Sequence, residues 1–438
     1  MDLKSIENIV SLCKRRGFIF QSSEIYGGLG STWDYGPLGT EMKKRIKDDW
    51  WQNIVTARPN VVGMDSSILM HPKVWEASGH ISNFNDPMVD CKQCKSRYRA
   101  DHIDIKKPCV KCGNKDWTDP RQFNLMFKTS IGPIEDDTNI SYLRPETAQG
   151  IFVNFNNVQT TARQKIPFGI AQIGKAFRNE ITTGNFLFRT REFEQMEMEF
   201  FVHPDDTSEW LEYWSQERLN WFVQLGITKD KLRLRPHGDD ELAHYSSACN
   251  DIEYEFPFGW SELEGVADRG TYDLDQHIEH SKKKLNYFDP KTNNRYIPAV
   301  VEASAGVDRA FLTCLVDAYT EEEVREEKRV LLKLSPKIAP ITCAVFPLVN
   351  KDGLPEIAEK IVEDMRKYFS AFFDQGGSIG KRYRRQDEAG TPFGVTVDHE
   401  TTENGTVTLR DRDSMEQVRI SKNAICDLIK EKINIEIN

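Results

Sequence analysis

The sequence predicts an α+β protein, in which an antiparallel β-sheet flanked by helices fills residues 1–335 and a small α/β domain fills 336–438. Three observations predict this. The long first part is rich in strand-like segments whose connections read as hairpins and loops, a pattern of antiparallel rather than βαβ pairing. Around "LKLSPKIAP" (332–340) two prolines break the helix-like run "EEEVREEKRVLLKL", and strand character resumes at "ITCAVFPL", which places a junction near Pro336. The remaining stretch of about 100 residues alternates helical and strand signals, enough for one small domain.

Within that domain, "GLPEIAEKIVEDMRKYFSAFF" reads as a helix. Pro355 suits its first turn, and Ile357, Ile361, Phe369 and Phe372 repeat at helical spacing. "SIGKRYRR", "PFGVTVD" and "GTVTLRD" read as strands, and "SKNAICDLIKEKI" as a closing helix opened by Ser421.

Composition bounds the function classes. With 438 residues, 39% of them hydrophobic, the chain can bury a substantial core. A formal charge of -10 argues against a surface that grips nucleic acid or anionic membrane everywhere, so a polyanion would need a local basic patch. The amino terminus has no signal-like apolar region and no stretch reaches 18 apolar residues, which gives the expectation of a cytoplasmic protein without a membrane anchor.

Of the nine cysteines, Cys91, Cys94, Cys109 and Cys112 form two CxxC pairs. Each pair can offer two thiolates to one tetrahedral Zn2+, a closed structural site that would staple an insertion at 88–118 too small for its own core. The intervening "KSRYRADHIDIKKP" is long enough for a strand pair. Lys92, Lys95, Arg97, Arg99, Lys106 and Lys107 could touch a nucleic acid there, and His102 could replace one thiolate. Cys13, Cys249, Cys314, Cys343 and Cys426 stand singly and read as buried thiols.

The densest signal is "FRNEITTGNFLFRTREFEQMEME" (177–199). Alternation puts Gln172, Gly174, Ala176, Arg178 and Glu180 on one face of a strand, and Arg191, Phe193, Gln195, Glu197 and Glu199 on one face of its return. One explanation is an edge hairpin kept from aggregating by charge. The other uses the lone aromatic Phe193 beside arginines: guanidinium suits phosphate, an aromatic face suits a purine, and carboxylates suit an ammonium or a ribose hydroxyl. "GIAQIGKA" (169–176) has Ala176 where a P-loop needs Ser or Thr, and strand follows where a helix is required. "GGLG" (27–30) fits no dinucleotide fingerprint and reads as a loop near the site.

FRNE, a loop and then RxREF resemble motif 2 of the class II aminoacyl-tRNA synthetases. "IYGGLGSTWDYGPLG", "SGHISNFNDPMVDC", "PRQFNLMF", "LRPETAQGIFVNF", "GWSELEGVADRGTYDL" and "VEASAGVDRAF", in that order, resemble the homodimeric, single-chain glycyl-tRNA synthetases in particular. The resemblance implies ATP with Mg2+, glycine and tRNA(Gly) as the partners, and a homodimer. It implies that Arg178 holds the α-phosphate and the glycine carboxylate, Glu180 sits near the adenine amino group, Phe193 stacks on adenine, and Arg309 clamps from the other side. Arg191 would approach the γ-phosphate. Glu146, Glu197, Glu302 and Ser304 would surround the glycine ammonium, with Glu262 and Arg269 completing the site. Asp308 and Ala305 stand where glycines often appear in motif 3, and "VVGMDSSILMHP" fits motif 1 loosely, with Pro72 as its marker.

The last domain resembles the family's anticodon-binding domain. "GKRYRRQDEAG" sets Lys381, Arg382, Arg384 and Arg385 around Tyr383, a patch for phosphates and one unpaired base, or otherwise a solvated strand end. Two other readings compete: a synthetase-like paralogue that binds RNA without charging it, and a ligase that passes the adenylate to another acceptor.

Overall fold

The computed structural model describes residues 4–133, 139–181, 184–238, 241–243, 245–324 and 326–435. Thr182 and Thr183 of the motif 2 loop lie outside them. The central element is a seven-stranded sheet in the order Leu232–Pro236, Ala248–Phe256, Gly259–Gly270, Ala299–Gly306, Glu192–Val202, Phe168–Phe177, Val61–Gly63. Every neighbouring pair is antiparallel except the last, in which Val61–Gly63 runs parallel to Phe168–Phe177.

Side-chain alternation gives the sheet two different faces. Met196, Met198 and Phe200 enter the main core, with Trp50, Trp214, Trp221 and Phe311 from the helices Pro37–Trp51, Thr207–Gln224 and Val307–Ala318. The opposite face changes character along its length. Phe168, Phe201 and Val300 lie in an apolar cluster with Ile151, Phe152 and Leu274. Next come the acids Glu199 and Glu302, directly opposite each other in register, and then Glu197 opposite both Ser304 and Gln172. The same strand side continues to Gln195 and Phe193, which line a cavity.

The C-terminal domain has its own five-stranded sheet, in the order Ala371–Phe373, Cys343–Pro347, Phe393–Val397, Thr406–Asp411, Gln417–Ser421. Its core joins Val345, Val395 and Leu409 to Leu354, Ala358 and Val362 of helix Leu354–Met365. Leu334, Ile338 and Ala339 still belong to the main core, whereas Cys343 belongs to the smaller one.

Several local expectations are corrected. Residues 321–334, read as helical, form a hairpin of Tyr319–Val324 with Glu327–Leu332. Helix-favouring Glu and Lys lose here to tertiary contact, because the strand buries Arg329 against Asp387 (2.8 Å) and the Arg412 carbonyl (2.7 Å). "SIGKRYRR" is not a strand but the start of helix Ile379–Ala389, whose buried Arg382, Gln386 and Ala389 recur at helical spacing. Helix Leu354–Met365 stops before Phe369 and Phe372, and Phe372 is exposed. Ser421 ends a strand, and the last helix begins at Ile425. The "KSRYRADHIDIKKP" interval supplies one strand, Arg97–Arg99, which pairs outside the interval with Asn85–Asp90.

Candidate active site

The sheet's polar face opens into a cavity of about 330 Å3. Its wall brings together Arg178, Glu180, Phe193, Arg309 and Glu262 with Glu146, Glu197, Glu302 and Ser304, residues spread over more than 160 positions. Arg191 and Arg269 do not line it. Arg191 donates to the carbonyls of Gly30 (2.8 Å) and Glu180 (3.3 Å), which fastens the glycine-rich loop beside the motif 2 hairpin. Arg269 lies behind the wall, paired with Glu302 (2.5 Å) and Asp273 (2.7 Å) and stacked 3.9 Å from the Tyr245 ring centre.

Two guanidinium groups are held ready on this wall. Arg178 sits between the rings of Phe84 (5.4 Å) and Phe193 (5.3 Å) and donates from Nε to the Pro145 carbonyl (3.1 Å). Arg309 lies over Phe188 (4.5 Å), donates to the Phe188 carbonyl (3.2 Å), and pairs with Glu262 (3.1 Å). Phe188 and Phe84 were not singled out from sequence. Arg189 is a further cation of the wall, 3.9 Å from Glu180.

The acidic end is buried and crowded. Glu197 accepts from Ser304 Oγ (2.7 Å) and from the Thr147 hydroxyl, while Gln195 Nε2 bridges Ser304 (3.2 Å) and Glu197 (3.4 Å). Glu146 accepts from Gln149 Nε2 (3.0 Å) and faces His80 Nε2 at 3.3 Å. Gln149 in turn donates to Asp273 (3.0 Å) and meets His277 through its carbonyl (2.9 Å). Burial, followed by the charges of Glu302 and Glu146, pushes the Glu197 carboxyl up to about 7. Burial also works against the ionised form of Glu146, but His80 and Arg269 outweigh it and hold that carboxyl well below the usual range. Glu199 is fully buried, has no hydrogen-bond partner among the described residues, and is pushed well up by burial and by Glu302.

His80, Thr147, Gln149, Tyr245 and Asp273 escaped the sequence reading as site residues. His80, Thr147, Gln149 and Asp273 stand inside the quoted motifs, and that neighbourhood was the available signal. Cys249, read as a single buried thiol, lines the cavity beside the His237–Asp251 pair (2.8 Å), whereas Cys13, Cys314 and Cys343 are buried as expected.

In the insertion, Cys91 and Cys112 sulfurs lie 3.6 Å apart and those of Cys94 and Cys109 3.8 Å apart, and all four lie within 4.8 Å of one another. A tetrahedron with Zn–S bonds of about 2.3 Å needs sulfurs about 3.8 Å apart, so the donors fit a zinc ion. Each CxxC closes in the same turn, with Lys95 N–H on the Cys91 carbonyl (2.9 Å) and Gly113 N–H on the Cys109 carbonyl (2.8 Å). Lys95 and Gly113 both take positive φ, 58° and 74°. His102 is not in the set. The basic residues named here are partly neutralised, Lys92 by Asp116, Arg97 by Asp90, and Arg99 by Asp86 and Asp101.

The patch on helix Ile379–Ala389 is less open than its sequence suggested. Arg382 is buried and donates to the carbonyls of Pro347 and Gly377. Tyr383 packs edge-on to Phe346, its hydroxyl meets Thr396 (2.7 Å), and Arg410 covers its face at 4.8 Å. It is therefore no free stacking platform. Arg385 pairs with Asp374 (2.6 Å), Arg384 approaches Glu327 (3.5 Å), and only Lys381 is fully exposed.

Comparison with known proteins agrees with this arrangement. Residues 109–319 match the tRNA synthetase class II core domain (G, H, P, S and T), and residues 342–432 match an anticodon binding domain. The chain is 56% identical to a glycine-tRNA ligase of Treponema denticola, over 98% of this chain and 97% of that protein. It is 54% identical to that of Caldanaerobacter subterraneus subsp. tengcongensis, over 98% of both, and 51% identical to that of Bacillus cereus, over 98% of this chain and 99% of the relative. The chain belongs to the glycine-tRNA ligase family of class II aminoacyl-tRNA synthetases.

Proposed function

We propose that this chain activates glycine with ATP, giving glycyl-adenylate and pyrophosphate, and then transfers glycine to the 3′ end of tRNA(Gly). The observation that carries the reading is one cavity with buried acids at one end and ring-supported arginines at the other. No helix among the described residues is long and apolar enough to cross a membrane.

A glycine carboxylate oxygen attacks the α-phosphorus, the bond from that phosphorus to the β-phosphate oxygen breaks, and pyrophosphate leaves. Arg178, fixed between two rings and a carbonyl, offers charge to the α-phosphate and the substrate carboxylate without having to reorganise. Arg309 serves the triphosphate, and Phe193 the adenine. Bound with the triphosphate, Mg2+ would supply charge neutralisation to the phosphates; Glu262 and Glu241 are the exposed carboxylates of the wall, paired with Arg309 and Arg235 respectively, and would be its nearest carboxylate donors there. In the second step a terminal ribose hydroxyl attacks the glycyl carbonyl, AMP leaves, and its phosphate can take the hydroxyl proton.

Glycine offers no side chain to hold, and a roomy pocket gains only about 1–3 kcal/mol against one methylene. Exclusion is the stronger device. Thr147 and Ser304 both donate to Glu197 and pin it, and Arg269 pins Glu302, so the carboxylates cannot retreat to admit a Cβ.

Residues 1–335 carry the catalytic unit with the 88–118 insertion, and the anticodon-binding unit follows; the separate cores support two units but, with Ile338 and Ala339 in the larger core and Cys343 in the smaller, move the junction from Pro336 to between Ala339 and Cys343. Cys91, Cys94, Cys109 and Cys112 would hold a structural Zn2+. Lys381 and, beside it, Arg384 remain the more available to tRNA, while Arg385 is engaged by Asp374 and the Gly376 carbonyl. A homodimer in the cytoplasm follows from the resemblance. Glycine-dependent pyrophosphate exchange, with alanine and serine as controls, tests the first step, and labelled glycine on tRNA(Gly) tests the second. No exchange favours an RNA-binding paralogue; exchange without charging favours another acceptor.

A further inference from the structure

A buried charge cluster that no step above uses lies at the cavity's edge, where Asp308 joins its lining. Alternation along strand Glu192–Val202 sends Phe193 toward the cavity and Glu194 to the opposite face, where helices Pro37–Trp51 and Val307–Ala318 pack. Asp308, in the first turn of the latter helix, accepts the Glu194 backbone N–H at Oδ2 (2.8 Å). At Oδ1 it accepts from Lys43 Nζ (3.1 Å) and from the Tyr35 hydroxyl. Lys43 also pairs with Glu194 (2.7 Å), Lys47 reaches the other Glu194 oxygen (3.0 Å), and the Lys43 ammonium lies 4.0 Å from the Tyr35 ring centre. Lys43 and Asp308 side chains are only 8% and 7% exposed.

Two cations face two anions, so the cluster is neutral and every carboxylate is satisfied. Its formation still costs the desolvation of each ion, which makes such a group poor at stabilising and better suited to fixing geometry. Where it acts is informative. Asp308 immediately precedes Arg309, and the amide it holds is the one that follows Phe193.

We propose that Asp308 is a positioning residue for the nucleotide, setting the distance between Phe193 and Arg309 by tying the first turn of one element to the backbone of the other. The proposal rests on the reading of those two side chains as nucleotide contacts. A glycine in place of Asp308 would leave the Glu194 amide and the Tyr35 hydroxyl without this acceptor, and Lys43 with Glu194 alone. Burial disfavours the ionised form of Glu194, but Lys43 and Lys47 outweigh it and hold the carboxyl at about 2, so this carboxylate stays charged through neutral pH.

The test is glycine-dependent pyrophosphate exchange in the full chain, with ATP and glycine titrated separately. D308N, whose amide cannot accept from all three donors, raises KM for ATP about tenfold, while KM for glycine stays within about twofold. Y35F removes one donor and gives a change of about two- to threefold in the same direction, and it keeps the test alive should D308N not fold. A control, V316A, at a buried position of the same helix, brings a loss of melting temperature but leaves KM for ATP unchanged. The proposal is overturned if Y35F and D308N leave KM for ATP unchanged, if both substrates' constants move together, or if V316A matches D308N. Absence of glycine-dependent exchange in the unaltered protein would instead overturn the functional reading itself.

Discussion

Arg269 and Glu302 form a buried ion pair of 2.5 Å at the back of the cavity, with Arg269 also held by Asp273. Glu302 lines the cavity and Arg269 does not. On the proposed function, Arg269 therefore aims a carboxylate that faces glycine.

Glu302→Gln leaves Arg269 half-paired and removes a charge from the ammonium site. Losing a charged partner of a buried ammonium costs about 2–5 kcal/mol of binding, so KM for glycine rises at least about 30-fold in pyrophosphate exchange, while KM for ATP changes less than about threefold. Equal losses for both substrates would place Glu302 outside the glycine site.

Arg178→Ala removes a preorganised charge from the reacting phosphate, and kcat for exchange falls by about 10²–10³. Phe84→Leu keeps the arginine but loosens one of its two supporting rings. That variant loses about tenfold or less in kcat, and single-turnover adenylate formation checks both.

The Glu197 carboxyl titrates near 7 when folded, above its unfolded value of about 4.5. The folded state therefore binds more protons between those values. The stability this group contributes is fully present below about 4.5 and is lost as pH rises through about 7. Unliganded wild-type protein melts at a lower temperature at pH 8 than at pH 6, and Glu197→Gln flattens that difference. Glycine's ammonium favours the ionised carboxylate, so binding at pH 6 releases protons, measurable by calorimetry in buffers of different ionisation enthalpy.

Removal of zinc by a strong chelator lowers the melting temperature and frees about one zinc ion per chain. Cys109→Ser gives the same loss without chelator, since three thiolates leave the tetrahedron open. An unchanged melting curve together with no released metal would contradict the closed site.

Lys381→Ala weakens tRNA binding about twofold and reduces its salt dependence, whereas Arg382→Ala destabilises the C-terminal domain, because Arg382 is buried against backbone carbonyls. Thermal melting and tRNA titration separate the two.

The sheet and the cavity's wall were legible because the 177–199 stretch writes its chemistry locally: Phe193, Glu197 and Arg178 fall on one hairpin and line one cavity, whereas Arg191, placed with them by alternation, turns to the Gly30 and Glu180 carbonyls. The hairpin at 319–332 and the helix at 379–389 were not legible. Each buries an arginine, Arg329 or Arg382, whose partners lie far away in sequence or on the backbone, and hydrophobic periodicity cannot register a buried cation. His80 was missed because it holds Glu146 from an element that only the folded chain brings near. Asp273, four residues after Arg269, stood within reach of the sequence reading. The Phe188 platform under Arg309 also comes from tertiary packing, because the loop that carries Phe188 shows no regular period.

The most direct measurement is a crystal structure with a non-hydrolysable glycyl-adenylate analogue. The expected result puts the ammonium within hydrogen-bonding distance of Glu146, Glu197 and Glu302, with the purine between the Phe193 ring and Arg309. An ammonium bound elsewhere, or a purine away from both side chains, would contradict the reading.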